Sequence, residues 1–237
     1  VILPDGVLSG NDFEWTKFIG ADLSGKDLSH SNFQYAAFDN ANLEGANLSD
    51  STFIQVDFTK IKNKSLAGAD LTDTSFAHSN LSGVDLSGTF LEQTNFWKAT
   101  LSGLDFTVTD SIGDGIVFDA ANLSNANFEG VDLSPQILYS TTFEDKAYLY
   151  DSPGMKAKLF GEFNSVYITS MQVQGNDLAV EYFLYNSFTR TNLENANFKN
   201  ANLNYVNFYL ADLTNADLNG ANLNEAILNC LNHPICN

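Results

Sequence analysis

Residues 21–60 read ADLSG KDLSH SNFQY AAFDN ANLEG ANLSD STFIQ VDFTK, and their period is five. The third position of each block is Leu or Phe, running Leu23, Leu28, Phe33, Phe38, Leu43, Leu48, Phe53 and Phe58. The residue two before this centre is mostly small, and the one just before it is usually Asp or Asn. A period of five suits neither a helix at about 3.6 residues per turn nor a flat strand at about 2. A chain that turns a corner every five residues fits, with the centre and the small residue inward and the small one leaving room for its large neighbour. Identical centres recur at a spacing of twenty, as in Phe13/Phe33/Phe53, Phe18/Phe38/Phe58, Phe76/Phe96 and Phe188/Phe208. Stacked residues resemble one another, so one turn is four pentapeptides and the coil is square in section.

Working outward, centres in this phase run from Leu3 to Phe58, from Leu66 to Phe106, from Phe118 to Tyr148 and from Phe163 to Leu228, a reading of 42 repeats over 210 of the 237 residues. With coils about 4.8 Å apart, as parallel strands are, this predicts an all-β parallel helix of about ten coils and a rod on the order of 50 Å long. Hydrogen bonds run from coil to coil, so the two ends are edges that need caps.

Tandem A(D/N)LXX blocks of this kind resemble the pentapeptide-repeat family. The resemblance implies a right-handed quadrilateral β-helix. Read from the repeat and its breaks, the chain is a single solenoid over 1–228 with irregular segments at 59–65, 107–117 and 149–162, and the end of the repeat leaves a small C-terminal cap at 229–237, disulfide-closed where its two cysteines pair. The repeated residues build the rod and say little about its task.

Function in repeat arrays tends to lie where the pattern breaks. The first break, Thr59 to Ser65, adds three residues and holds Lys60, Lys62 and Lys64, a basic bulge on an acidic rod that suits either an acidic partner or a solvated loop. The second, Thr107 to Val117, adds two. Its Asp110, Asp114 and Asp119 lie near glycines but match neither the EF-hand order nor a calcium β-roll, so turn-forming Asp and Gly are the better account. In the third, Pro153 and Lys158 fall where buried centres belong, which predicts a turn at 151–154 and a short helix over 155–160 protruding from the rod.

The chain carries 29 Asp and Glu against 11 Lys and Arg, net −18, a sign that repels nucleic acid and anionic lipid. No apolar run approaches the roughly 18 residues a membrane span needs. The chain does not begin with Met, which leaves open a removed leader or a trimmed start. His30, His78 and His233 are far apart in sequence and form no nucleophile or metal pattern, so no catalytic residue, cofactor or metal is expected. Eleven of the Asp residues sit in a slot that Asn fills as often, which asks for a small polar group rather than a tuned acid.

The only cysteines, Cys230 and Cys236, lie where the repeat stops. A disulfide would close the end and points to an oxidising compartment; free thiols or a metal with His233 are the alternatives. Large aromatics at outward positions complete the candidates: Trp15 and Tyr35, twenty apart, and Tyr185 and Tyr205, likewise, with Tyr182, Tyr209 and Trp97. Exposed aromatics on a rigid frame suit protein binding, against the alternative that they only stack along the rod. Two functions follow. One is a non-enzymatic protein-binding scaffold in an exported compartment (thylakoid lumen, periplasm or extracellular), as the resemblance to exported members with disulfide-tied ends implies, possibly within a larger assembly. The alternative, also implied by the resemblance, is a cytoplasmic acidic DNA mimic that binds DNA gyrase or a topoisomerase.

Overall fold

The computed structural model describes residues 8–113, 115–133, 137–144, 166–174, 177–184 and 186–236, with side chains outside the three strands. Two hydrogen bonds shape the typical pentapeptide. Oδ1 of the Asp or Asn before the centre accepts the backbone N–H two residues on, at 3.1 Å in Asp12 to Glu14, Asn47 to Ser49 and Asn222 to Asn224. The centre's carbonyl then accepts the N–H three residues on, at 3.0 Å for Thr16 onto Phe13 and Ala201 onto Phe198, closing a β-turn. The Asp/Asn slot is thus a turn-forming acceptor, which is why the two residues interchange in it: both offer Oδ1. Asn adds a donor, and Asn32, Asn42 and Asn47 each give Nδ2 to the Asp one coil below.

Coils stack through parallel bridges. We number the faces by these bridged residues and each corner by the face it follows. Face 1 carries Asp12, Asn32, Thr52, Ser75, Asn95, Val117, Ser187, Asn207 and Ile227, nine rungs in unbroken succession. Faces 2, 3 and 4 begin at Lys17, Asp22 and Asp27. Eight steps of about 4.8 Å make a ladder of about 38 Å, shorter than the sequence predicts. Behind face 1, Phe13, Phe33, Phe53, Phe76, Phe96, Phe118, Phe188 and Phe208 stack with centroids 4.8 to 5.5 Å apart. All but Phe13 are fully buried, each contributing about 1.5–3 kcal/mol by its transfer from water.

The first interruption is a bulge on one side of the square. Face 2 is left at Asp57 and face 3 is rejoined at Ser65, through two 3-10 turns at Phe58–Lys60 and Lys62–Lys64. The second is spread over two sides, since Asp105, Ser111 and Val117 follow one another at six residues rather than five.

The third differs most from expectation. Bridges pass from Val117 to Ser187, Asn122 to Asn192 and Asp132 to Asn202, a separation of 70 in place of 20. The chain therefore holds fifty residues more than one turn of the coil needs, between Leu133 and Asn186. Within them β1 (Ile137–Glu144), β2 (Val166–Gln174) and β3 (Asp177–Leu184) form an antiparallel sheet in the order β1-β3-β2. Leu138, Phe143, Ile168, Val173, Leu178 and Phe183, read above as coil centres, are strand residues. The reason is chemical: the turn acceptor before them is Ile137, Thr142, Tyr167, Gln172 or Tyr182 in all but Leu178, and large residues such as Met171 and Glu181 occupy the small slot. Tracts like VYITSMQVQ instead suit a pleated strand, and the two residues linking β2 to β3 are Gly-Asn, a hairpin signal. The turn at 151–154 and helix at 155–160 lie outside the described residues.

Asn186 stitches the coil where the excursion leaves it. Fully buried, it accepts the Ile116 N–H at 2.9 Å and donates to the Leu133 carbonyl at 3.0 Å. At the other end Leu231 bridges Asp212, Cys230 and Cys236 form a disulfide, and Ile235 and Cys236 pack against the core.

Candidate functional site

Two residues follow each centre at a corner, and the second takes a positive φ. At corner 1 the hydrogen-bonded column runs from Trp15 through Tyr35, Gln55, His78, Lys98, Ala120 and Arg190 to Leu210, each N–H donating to the rung above, as Trp15 to Gln34 and Arg190 to Tyr209. All eight have φ between 55° and 60°, and none is Gly or Asn. Corner 3 fills the same place with Gly25, Gly45, Gly68, Gly88, Gly130, Asn200 and Gly220, with Val108 at the second interruption the one exception, and corner 2 uses Gly and Asn on every rung outside the bulge. The left-handed region costs a residue with a side chain roughly 1–2 kcal/mol. Corner 1 accepts that cost along its whole length, and corner 4 accepts it as well, at His30, Asp50, Asp73, Gln93, Tyr205 and Glu225.

The corner 1 side chains form one ridge. Trp15 is 66% exposed and stacks on Tyr35 at 4.2 Å with planes 13° apart. His78 meets Trp97 edge-on at 4.8 Å, and Lys98 Nζ lies 4.4 Å from the centroid of that Trp97 ring. Tyr209 stands exposed near the upper end. Four of the aromatic candidates, Trp15, Tyr35, Trp97 and Tyr209, therefore share one edge of the prism.

The others do not join them. Tyr205 is half-buried on corner 4, Tyr182 lies in β3, and Tyr185 falls outside the described residues. The twenty-residue spacing of Tyr185 and Tyr205 is not one coil, because Phe183, the centre it assumes, pairs with Ile137 and Tyr167 in the sheet. Lys60, Lys62 and Lys64 are exposed on the bulge after face 2. Lys60 Nζ is 3.2 Å from Asp57, and that carboxylate raises its pKa.

Corner 4 has the opposite character. Its successive rungs carry His30, Asp50, Asp73 and Gln93, with Glu92 beside Gln93. His30 Nδ1 lies 3.5 Å from Asp50. Burial, then Asp50, Glu92 and Asp70, push the Asp73 carboxyl above its ordinary 3.8. Face 1, which joins corner 4 to corner 1, has a single charged residue, Asp12, among its nine bridged positions. Writing the pair after each centre in fours exposes this sorting in the sequence; reading single aromatics does not, and so misses His78, Lys98, Arg190, Asp50 and Asp73.

A cavity of about 380 Å³ opens beside the second interruption, lined in part by Glu92, Phe106, Ser111, Glu129 and Asp132. Among the described residues no cluster of three or more His, Cys, Asp or Glu is placed to hold a metal ion, and no helix is long and apolar enough to cross a membrane.

The family model for pentapeptide repeats matches eight copies in residues 27–62, 58–93, 79–110, 114–134 and 188–229, together 147 of 237 residues. The chain belongs to the pentapeptide-repeat family. Its fold is the right-handed quadrilateral β-helix, and the matched segments stop where the antiparallel sheet begins. Solved structures similar to this pentapeptide-repeat protein include HetL, involved in heterocyst differentiation regulation in the cyanobacterium Nostoc sp. strain PCC 7120, at 20% identity, 94% of this chain, 90% of that one and TM-score 0.27. A trypsin-treated form of QnrB1, a plasmid-mediated fluoroquinolone resistance protein, is 17% identical over 92% and 86% of the two chains, TM-score 0.44. A pentapeptide-repeat protein of the Arabidopsis thaliana thylakoid lumen is 21% identical over 56% and 72%, TM-score 0.16. None of the curated proteins matches the chain.

Proposed function

We propose that this pentapeptide-repeat protein is a non-enzymatic scaffold that presents corner 1 to a protein partner. The observation that carries the reading is the aromatic ridge of Trp15, Tyr35, Trp97 and Tyr209 on a corner whose eight left-handed residues all bear side chains other than Asn. Corner 2 uses Gly and Asn outside the bulge, and corner 4, which shares the side-chain-bearing run, displays mainly charged and polar groups. Trp and Tyr are the side chains that anchor protein interfaces, and rungs about 4.8 Å apart hold them on a rigid frame. The disulfide at Cys230 and Cys236 supports an oxidising, exported compartment. Charge sorted to particular faces favours this reading over duplex mimicry, which asks for carboxylates on every side.

The test is capture from an extract of the source organism on immobilised protein. A specific set of bound proteins is expected, lost when Trp15, Tyr35, Trp97 and Tyr209 are replaced by Asn and kept when the corner 2 residues Ser82, Ser102 and Ser124 are replaced by Ala. Equal capture by both variants refutes the role of corner 1. Thiol titration of unreduced, denatured protein from its source checks the compartment, and two free thiols would sink it.

A further inference from the structure

We infer that the partner surface is a basic, Arg- and Lys-bearing polypeptide segment lying along face 1, gripped between the aromatic corner 1 and the acidic corner 4; this rests on the reading of corner 1 as the binding edge. Three observations converge on a cation. Corner 4 stacks Asp50, Asp73 and Glu92 on successive rungs, where burial and then the neighbouring carboxylates raise the Asp73 pKa, and among the described residues the only basic side chain in ion-pair reach of them is the His30 imidazole beside Asp50. A cation arriving at that corner relieves the repulsion. Across face 1, corner 1 offers π-faces, which attract cations, and Lys98 over Trp97 shows the ridge holding one. Between them face 1 presents Asn32, Thr52, Ser75 and Asn95, uncharged residues that let a chain lie close without an unpaired charge beneath it.

The net charge of −18 steers such a segment toward the protein, but steering does not choose the face; the two corners do. An acidic segment meets corner 4 as a like charge, and a purely apolar one leaves Asp50 and Asp73 desolvated without a partner. An extended segment spanning the ladder has about twelve residues at roughly 3.3 Å each.

The probe is a fluorescein-labelled peptide of alternating Arg and Ala of that length, with a Glu/Ala peptide as control, read by anisotropy and by tryptophan emission at low salt. The Arg peptide is expected to bind and to perturb tryptophan emission, and the Glu peptide to do neither. The set Asp50→Asn, Asp73→Asn, Glu92→Gln and the set Trp15→Asn, Tyr35→Asn, Trp97→Asn should each weaken binding about tenfold, two or three exposed cation contacts being lost. Removing three charges from face 3 instead, with Asp22→Asn, Asp85→Asn and Asp105→Asn, keeps every turn acceptor and should change affinity by less than about threefold. Equal loss from the face 3 set means diffuse attraction to net charge and overturns the inference, as does absence of Arg-peptide binding. If the peptide fails while capture from extract still depends on corner 1, the basic partner is wrong and the scaffold reading stands.

Discussion

Replacing Gln55 and Arg190 by Gly should stabilise the protein, although Gly within regular structure ordinarily destabilises it. Both residues are exposed at corner 1, at φ 58° and 56°, and lie four rungs apart, so their effects should add. Leaving a side chain in the left-handed region costs roughly 1–2 kcal/mol, and the extra freedom of Gly in the unfolded chain returns about 0.5–1 kcal/mol of that. The net gain is about 0.5–1 kcal/mol per site, or about 1–2 kcal/mol for the pair. For a chain of this size that is a rise in Tm of about 4 °C. The mirror experiment is Gly45→Ala at corner 3. An added Cβ there meets nothing within 4 Å at φ 66°, so its penalty is conformational only, and a loss of about 0.5–1 kcal/mol is expected. Thermal unfolding followed by circular dichroism reads both, with urea midpoints as a check on slope changes. A double Gly variant no more stable than the parent, beside a Gly45→Ala variant that loses nothing, refutes the argument that corner 1 carries conformational strain.

Further outcomes follow from the hydrogen bonds. Asp22, Asp27 and Asp212 are held below 3.8 by bonds from Ser24, Ser29 and Thr214; their contribution is present above that pH and lost as pH falls through the lowered values. Replacing all three by Asn should therefore leave more of the remaining stability in acid, seen as a flatter Tm-versus-pH curve below about pH 4. Asp73 runs the other way. Its raised pKa means ionisation destabilises the fold as pH rises past 3.8, so Asp73→Asn should raise Tm at pH 7 and change it little in strong acid. Asn186→Ala leaves the Ile116 N–H and the Leu133 carbonyl without their buried partner, at about 2–4 kcal/mol, and urea titration should show it. Reducing the disulfide frees a short loop whose closure is worth roughly 2 kcal/mol, and hydrogen exchange should quicken first at Leu231 and Cys236.

Most of the coil was legible from residue type alone. The phase of Phe13, Phe33 and Phe53 carries both the period and the square section, because stacked rings must match. The excursion was partly legible, yet a centre-only reading passed over it. Val173 and Phe183 look like centres, and only the missing acceptor and small residue beside them reveal strands. Turn chemistry, rather than hydrophobicity, separates the two structures. At the site, Trp15 and Tyr35 could be paired from their spacing, whereas the strain at Gln55 and Ala120 is a backbone property that no side chain advertises. The stacking of Asp50, Asp73 and Glu92 on one corner is disguised by the inserted bulge, which makes their separations in sequence unequal.

The stitch at Asn186 separates how far the chain travels from how high the rod climbs. Val117 and Ser187 are successive rungs although 70 residues divide them, and fifty, the surplus over one turn, is itself a multiple of the repeat. The ladder measures space and not contour, so an insert whose ends meet at a corner displaces no side chain on any face above it. A lineage of such proteins is then free to exchange whole inserts at a corner while every binding residue on the remaining edges keeps its address.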